Sequence, residues 1–211
     1  MGKHSWKTRV IDTKSRYPGS PRGYRNNNPL NIRFSESNDW YGQIGRDKAS
    51  GGMCVFGNMR SGVRAAFRLL YAYQWRHNKR TVRDLITRWA PKSENNTEAY
   101  IKRVCDWMKC EPEFIPHFGT YEEMADCIRM IQGMIAVENG SYDDALCPWY
   151  DIRDAYLMAF PSVHTAYHAD KLPDVAEALP DNAEDDEEEN ERFWFDYDDI
   201  SQQDKTHYGE V

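Results

Sequence analysis

Hydrophobic positions along the chain repeat with two different periods, and the change between them falls between Phe56 and Ser61. Before it, Leu30, Ile32 and Phe34 alternate with Asn31 and Arg33, the period of two expected of a half-buried strand. Trp40-Tyr41-Gly42 and Met53-Cys54-Val55-Phe56 are two further strand-like runs, and a loop is predicted over residues 46–52. After it the spacing is helical. Ser61 is the expected cap of a helix reaching about Asn78, with Val63, Phe67, Leu70 and Gln74 as its inward stripe. A shorter helix is predicted over residues 82–89, stopped by Pro91. Thr97 is the expected cap of the next helix, whose buried face is Ile101, Val104, Cys105 and Met108. After a linker punctuated by Pro112 and Pro116, Thr120 and Glu123 have capping-box spacing. They would open a helix through Met124, Cys127, Ile128, Ile131, Met134 and Ile135, ending near Glu138 and closed by Gly140. A last helix is expected over residues 149–160. The fold class is therefore α+β, mainly α, with a small β-region ahead of the helices.

The ends of the chain do not share this patterning. Residues 1–21 are basic, rich in Ser, Pro and Gly, and aperiodic, as a flexible arm would be; the packed domain is expected over residues 22–168. The overall net charge of −7 is unevenly distributed, because residues 171–211 hold 15 acidic and three basic side chains. That leaves a net +5 on residues 1–170, a body suited to an anionic polymer. The acidic tail from residue 169 carries one aromatic run, residues 193–197, which reads as a docking segment for a partner or for the basic body itself. Five cysteines, Cys54, Cys105, Cys110, Cys127 and Cys147, are odd in number and lack a CxxC, so buried thiols in a reducing cytoplasm are expected. No zinc site and no other cofactor is suggested. The N-terminus has charge without an apolar signal-peptide core, and no apolar run reaches the roughly 18 residues that span a bilayer. If the substrate lies outside the cytoplasm, something else is expected to deliver the protein: a particle, a secretion device or lysis.

The most distinctive stretch is Arg25-Asn26-Asn27-Asn28-Pro29-Leu30-Asn31-Ile32-Arg33. Asparagine tolerates left-handed backbone angles and hydrogen-bonds its own backbone, so Asn26–Asn28 predict a tight turn braced by side chains. Pro29 biases Asn28 towards the extended region. With Trp40-x-Gly42, Phe56, Ser61-Gly-Val-Arg-Ala-Ala66, Arg88-Trp-Ala-Pro91, Ser93-Glu-Asn-Asn96 and Tyr100-Ile101, the stretch resembles a family carried by phages and prophages. Its members are described as virion-associated structural proteins with a lysozyme-like, peptidoglycan-degrading domain. The resemblance covers about residues 22–140, and it would place glycine where this chain has Leu30, so a Cβ there is expected to reshape the turn.

Glu138 is the leading candidate for a catalytic group. Its spacing from Ile131, Met134 and Ile135 projects it from the apolar face of its helix, and it lies in the last turn, where the dipole opposes negative charge. Apolar surroundings and a helix C-terminus both favour the protonated form a general acid needs. Residues 135–140, Ile-Ala-Val-Glu-Asn-Gly, are similar to the helix end that bears the acid in lytic transglycosylases and glucosaminidases. In those enzymes the Asn-rich strand and Trp-x-Gly follow the glutamate, whereas here they precede it, so the resemblance implies a circularly permuted lysozyme-like fold. Glu94, in a polar loop near Arg88 and Lys92, is the rival acid. Tyr100 resembles the tyrosine that orients the acid or an N-acetyl group. Asn28 and Asn31 offer amides, and Trp40 and Tyr41 flat faces, to an amino-sugar substrate, though each also suits a turn brace or core. Asp39 and Asp47 are candidate second carboxylates but read as turn residues.

Two readings follow. In the first, the chain is a phage or prophage glycosidase that cleaves peptidoglycan, of lytic transglycosylase or muramidase type, working through one Glu. In the second, it is a non-catalytic virion or wall-binding protein of the same fold. Its partners would be peptidoglycan and, through the acidic tail, other virion proteins. A nucleic-acid-binding role ranks last, since no such motif is present.

Overall fold

The computed structural model describes residues 9–16, 18–48, 52–93 and 96–171. Glu94 and the aromatic run at residues 193–197 lie outside them. The chain divides into two units, residues 1–166 and 167–211; all the candidate residues discussed below are in the first. The described residues form a mixed α+β structure, mainly helical, with one three-stranded sheet.

The sheet order is β1 (Val10–Ile11), β2 (Gln43–Asp47), β3 (Cys54–Phe56), with β1 parallel and β3 antiparallel to β2. Two short helices, α1 (Thr13–Arg16) and α2 (Arg22–Arg25), follow β1. Neither β1 nor α1 is signalled in the aperiodic composition of residues 1–21. Gln43–Asp47 is a strand where a loop was expected from residue 46, because its alternation is inverted. Gln43, Gly45 and Asp47 point inward, while Ile44 and Arg46 face out. Trp40–Gly42, expected as a strand, is instead a turn that brings the Gln43 N–H to the Trp40 carbonyl at 3.1 Å. Gly42 sits there at φ +70°, so close to Ser61 that a Cβ would lie 2.3 Å from its hydroxyl. Leu30 and Ile32 are buried as the alternation predicts, yet the segment makes only a partial ladder with β3, through Cys54 N–H to Ile32 O at 2.9 Å and a bridge between Arg33 and Met53.

Six helices complete the fold: α3 (Met59–Arg76), α4 (Val82–Trp89), α5 (Thr97–Met108), α6 (Met124–Asn139), α7 (Trp149–Ala159) and α8 (Pro161–Lys171). The bounds of α4 agree with the predicted ones. Three predicted caps do not hold. Asn58, not Ser61, caps α3 by accepting the Ser61 N–H at 2.9 Å, and Asn96, not Thr97, caps α5 by accepting from Ala99. The Thr120/Glu123 box is absent, because Glu123 instead accepts from the His117 backbone N–H and contacts its Nδ1 at 2.6 Å, while Thr120 donates to the His117 carbonyl. α3 packs on α7, and α5 on both α4 and α6. Between α3 and α7 lies an aromatic cluster in which Phe67 meets Tyr156 edge-on at 5.0 Å and Phe118 at 6.3 Å. Gln74 pins the linker before α6 by donating to Pro116 O at 2.7 Å and accepting from Phe118 N–H. All five cysteines are free thiols. Burial pushes Cys54, Cys105 and Cys147 up to about 12. No helix among the described residues is long and apolar enough to cross a membrane.

The three asparagines brace the turn in three different directions. Asn26, fully buried, accepts from the Thr13 hydroxyl and donates to Asp47 at 2.9 Å. Asn27, at φ +50°, donates to Phe56 O. Asn28, also fully buried, donates to Ile32 O and Cys54 O and accepts from Ile32 N–H. The positive φ angles of this block fall on Asn27 and Asn31, not on Leu30, which sits buried without the backbone conformation that would call for glycine. α3 seats the turn through Gly62, where a Cβ would come within 1.9 Å of the Asn27 carbonyl oxygen.

Two predictions follow from this frame. Alanine in place of glycine inside a helix ordinarily gains up to about 1 kcal/mol. Gly62→Ala is expected instead to lose about 1–3 kcal/mol in urea unfolding, as overpacking does; a gain would show that α3 does not carry the turn. The second concerns Asp47. Burial alone would raise its carboxyl, but hydrogen bonds from Arg22, Asn26 and the Met53 N–H outweigh burial and hold it below the usual carboxylate range. A depressed folded value contributes stability above the unfolded value of about 4 and loses it as pH falls further. Stability should therefore decline below about pH 4, and Asp47→Asn, though less stable at neutrality, should show a flatter decline.

Candidate functional site

Glu138 stands in the last turn of α6, which Gly140 terminates in the left-handed region at φ +84°. It is half-buried, and three side chains from three separate elements converge on its carboxylate. Trp89, the last residue of α4, donates its indole N–H to Oε1 at 3.2 Å. Tyr100, in the first turn of α5, donates its hydroxyl to the same oxygen at 3.0 Å. Asn31, from the turn, donates Nδ2 to Oε2 at 3.1 Å. Tyr100 is deeply buried, and burial first and the Glu138 charge second push its phenol well above the usual tyrosine range, which keeps it a donor.

The next residue ties the helix end to the turn. Asn139 donates Nδ2 to Pro29 O at 2.7 Å and to Ile135 O at 2.9 Å, so one amide joins its own helix to the turn. Its Oδ1 lies against Gly23, where a Cβ would stand only 2.4 Å away. Glycine at position 23 is thus a condition for bringing α6 up to the asparagine block.

Glu138 lines a groove of about 640 Å³ with Asn31, Arg33, Asn38, Tyr73 and Trp89 among its polar and aromatic walls and Leu30, Ile32, Met53 and Leu69 among its apolar ones. That volume is within the roughly 300–1,000 Å³ of ligand clefts. Glu138 is the only carboxylate among the described residues that line it. The Arg88 guanidinium lies over the Tyr73 ring, 4.7 Å from its centroid, and Tyr73 meets Trp89 edge-on at 6.5 Å.

Of the residues singled out in the sequence, Glu138, Asn31 and Tyr100 come together, although Asn31 and Glu138 are 107 positions apart. Asn28 does not reach the groove; both its amide atoms are spent on backbone groups, so it is a brace and not a ligand contact. Trp40 is buried in the core, and Tyr41 lies under the Arg64 guanidinium at 5.5 Å; neither lines the groove. Asp47 is committed to Arg22 at 2.7 Å, and Asp39 is exposed outside the groove lining. Trp89 and Tyr73 were not foreseen as site residues. Trp89 stood in the Arg88-Trp-Ala-Pro91 motif, and its place at the end of a predicted amphipathic helix hid it among core positions. Among the described residues, no three His, Cys, Asp or Glu side chains gather as a metal site requires.

No family model matches the chain. Over 125 residues it is 35% identical to "Protein P5" of Pseudoalteromonas phage PM2, an alignment covering 57% of this chain and 72% of that protein.

The hydrogen bond between Tyr100 and Glu138 predicts an energetic coupling. A double-mutant cycle of Tyr100→Phe and Glu138→Ala should give an interaction of about 1 kcal/mol in unfolding free energy. Strict additivity would mean that the two side chains do not meet in solution.

Proposed function

The chain belongs to the family of Protein P5 of Pseudoalteromonas phage PM2, and from that premise and the Glu138 groove we propose that it is a phage-associated glycosidase cleaving the glycan backbone of peptidoglycan. One observation carries the proposal. A half-buried glutamate, held by donors from three elements, is the single carboxylate among the described residues lining a groove of ligand size. A net +5 on residues 1–170 favours approach to an anionic wall polymer.

In this reading the domain has a lysozyme-like architecture in circularly permuted order, with the asparagine block brought beside the acid-bearing helix end from the N-terminal side. Glu138 protonates the glycosidic oxygen as the C1–O bond breaks. As carboxylate it then takes the proton of the muramyl C6 hydroxyl, whose oxygen closes on C1 to give a 1,6-anhydro end. This single-acid route suits a groove with one lining carboxylate, since hydrolases with two place them roughly 5–9.5 Å apart across the bond. Tyr73 and Trp89 replace Trp40 and Tyr41 as the aromatic faces available to a pyranose ring, and Asn31 and Asn38 are the amides within reach of its substituents.

The test is to incubate purified murein with the protein and identify the released sugar ends by mass spectrometry. Anhydro ends are expected, reduced at least about 100-fold by Glu138→Gln and left unchanged by Glu94→Gln. Reducing ends would assign a hydrolase instead. No release by a protein that still pellets with murein would overturn catalysis in favour of a wall-binding virion component.

A further inference from the structure

We propose that the proton of Glu138, when it carries one, resides on Oε2, and that Asn31 turns its amide to follow that proton. The use of this device in catalysis rests on the function proposed above, but the position of the proton follows from hydrogen bonding alone.

The two carboxylate oxygens have unlike surroundings. Oε1 receives the Trp89 indole N–H at 3.2 Å and the Tyr100 hydroxyl at 3.0 Å. An indole N–H can only donate, so Trp89 occupies one lone pair of Oε1 in either state, and a proton on Oε1 would have to face the Tyr100 hydroxyl. Tyr100 would then have to turn its own O–H away from Glu138, and Tyr100 is buried, so that hydrogen would lose its partner at a cost. Oε1 is therefore a committed acceptor. Oε2 has a single partner among these three, Asn31 Nδ2, at 3.1 Å.

Asparagine is the side chain whose polarity reverses by rotation. Its carbonyl oxygen and amide nitrogen exchange places on a half-turn with almost no change of shape. With Nδ2 forward, Asn31 donates to the carboxylate; with Oδ1 forward, it accepts from the acid. In the structure the donating arrangement is present, and the price is visible, because Asn31 Oδ1 is buried with no hydrogen-bond partner. The turned arrangement would exchange that orphan acceptor for an orphan donor.

The backbone holds the pivot still. Asn31 has φ +51°, a conformation asparagine tolerates and bulkier residues resist, and its N–H donates to Asn28 O at 2.9 Å. Asn31→Gly therefore removes the amide while retaining the left-handed angle.

Infrared spectroscopy tests the proton's position without substrate. The acid-minus-neutral difference spectrum of the wild type, compared with that of Glu138→Gln, isolates the C=O stretch of protonated Glu138. If Oε2 bears the proton, the carbonyl oxygen is Oε1; Trp89→Phe should shift the band to higher frequency and Asn31→Gly should leave it in place. The reverse pattern would overturn the assignment. The amide turn is read by NMR. The Asn31 side-chain NH2 resonances should titrate together with the Glu138 band and cease to titrate in Glu138→Gln. A static Asn31 resonance beside a titrating Glu138 would overturn the turning. Absence of murein cleavage with these spectroscopic results intact would remove the proposed function and leave the proton on Oε2.

Discussion

The structure depends on a tie across more than a hundred residues, between the asparagine turn and the C-terminal end of α6. Asn139 grips Pro29 O, and Asn31 grips Glu138, at separations of 110 and 107 positions. Closing so long a loop costs conformational entropy that only later contacts return. Here the return comes from burying Leu30 and Ile32 and from satisfying polar groups that would otherwise be stranded. The end of α6 gives the Asn139 amide to the Pro29 carbonyl, and the turn gives the Asn31 amide to Glu138. Gly23 leaves room for Asn139 beside the turn, and Gly62 leaves room for the turn against α3.

That tie also decides what stands at the groove. The turn is so fully used in bracing that Asn26 and Asn28 have no atoms to spare, and only Asn31 emerges into the groove wall. The arrangement around Glu138 is polar yet confined, since its donors come from α4, α5 and the turn. A carboxylate gripped in this way is expensive to assemble by chance, because a helix C-terminus disfavours its charge by roughly 0.3–1 kcal/mol. The donors of Trp89, Tyr100 and Asn31 offset that cost. A glutamate serving only to end a helix would turn to water and require none of them.

Much of the helical framework was legible in the chain because its apolar stripes are long and regular: Ile101, Val104, Cys105 and Met108 in α5, and Cys127 to Ile135 in α6, are buried as their spacing indicates. The sheet was harder to read. β2 turns Gln43, Gly45 and Asp47 inward and Ile44 outward, so hydropathy carries the wrong sign. What makes polar residues acceptable inside is a tertiary fact, the bonds from Arg22 and Asn26 to Asp47. Glu138 could be picked out because a carboxylate on an apolar face is locally anomalous. Trp89 could not, since an indole at the end of an amphipathic helix looks like core whether or not its N–H meets a carboxylate. The aromatics of Trp40-Tyr41 were misleading for the same reason: composition suggested a stacking face, and Gly42 against Ser61 folds the pair away from the groove.

The central claim is that the Glu138 groove holds an amino-sugar chain. The most direct measurement is an NMR titration of the Glu138→Gln protein with a soluble GlcNAc–MurNAc oligosaccharide, following side-chain NH resonances. The account predicts saturable shifts of the Trp89 indole and the Asn31 amide, with the Trp40 indole undisturbed. Saturable binding that leaves Trp89 and Asn31 unmoved, or no binding at millimolar sugar, would contradict it.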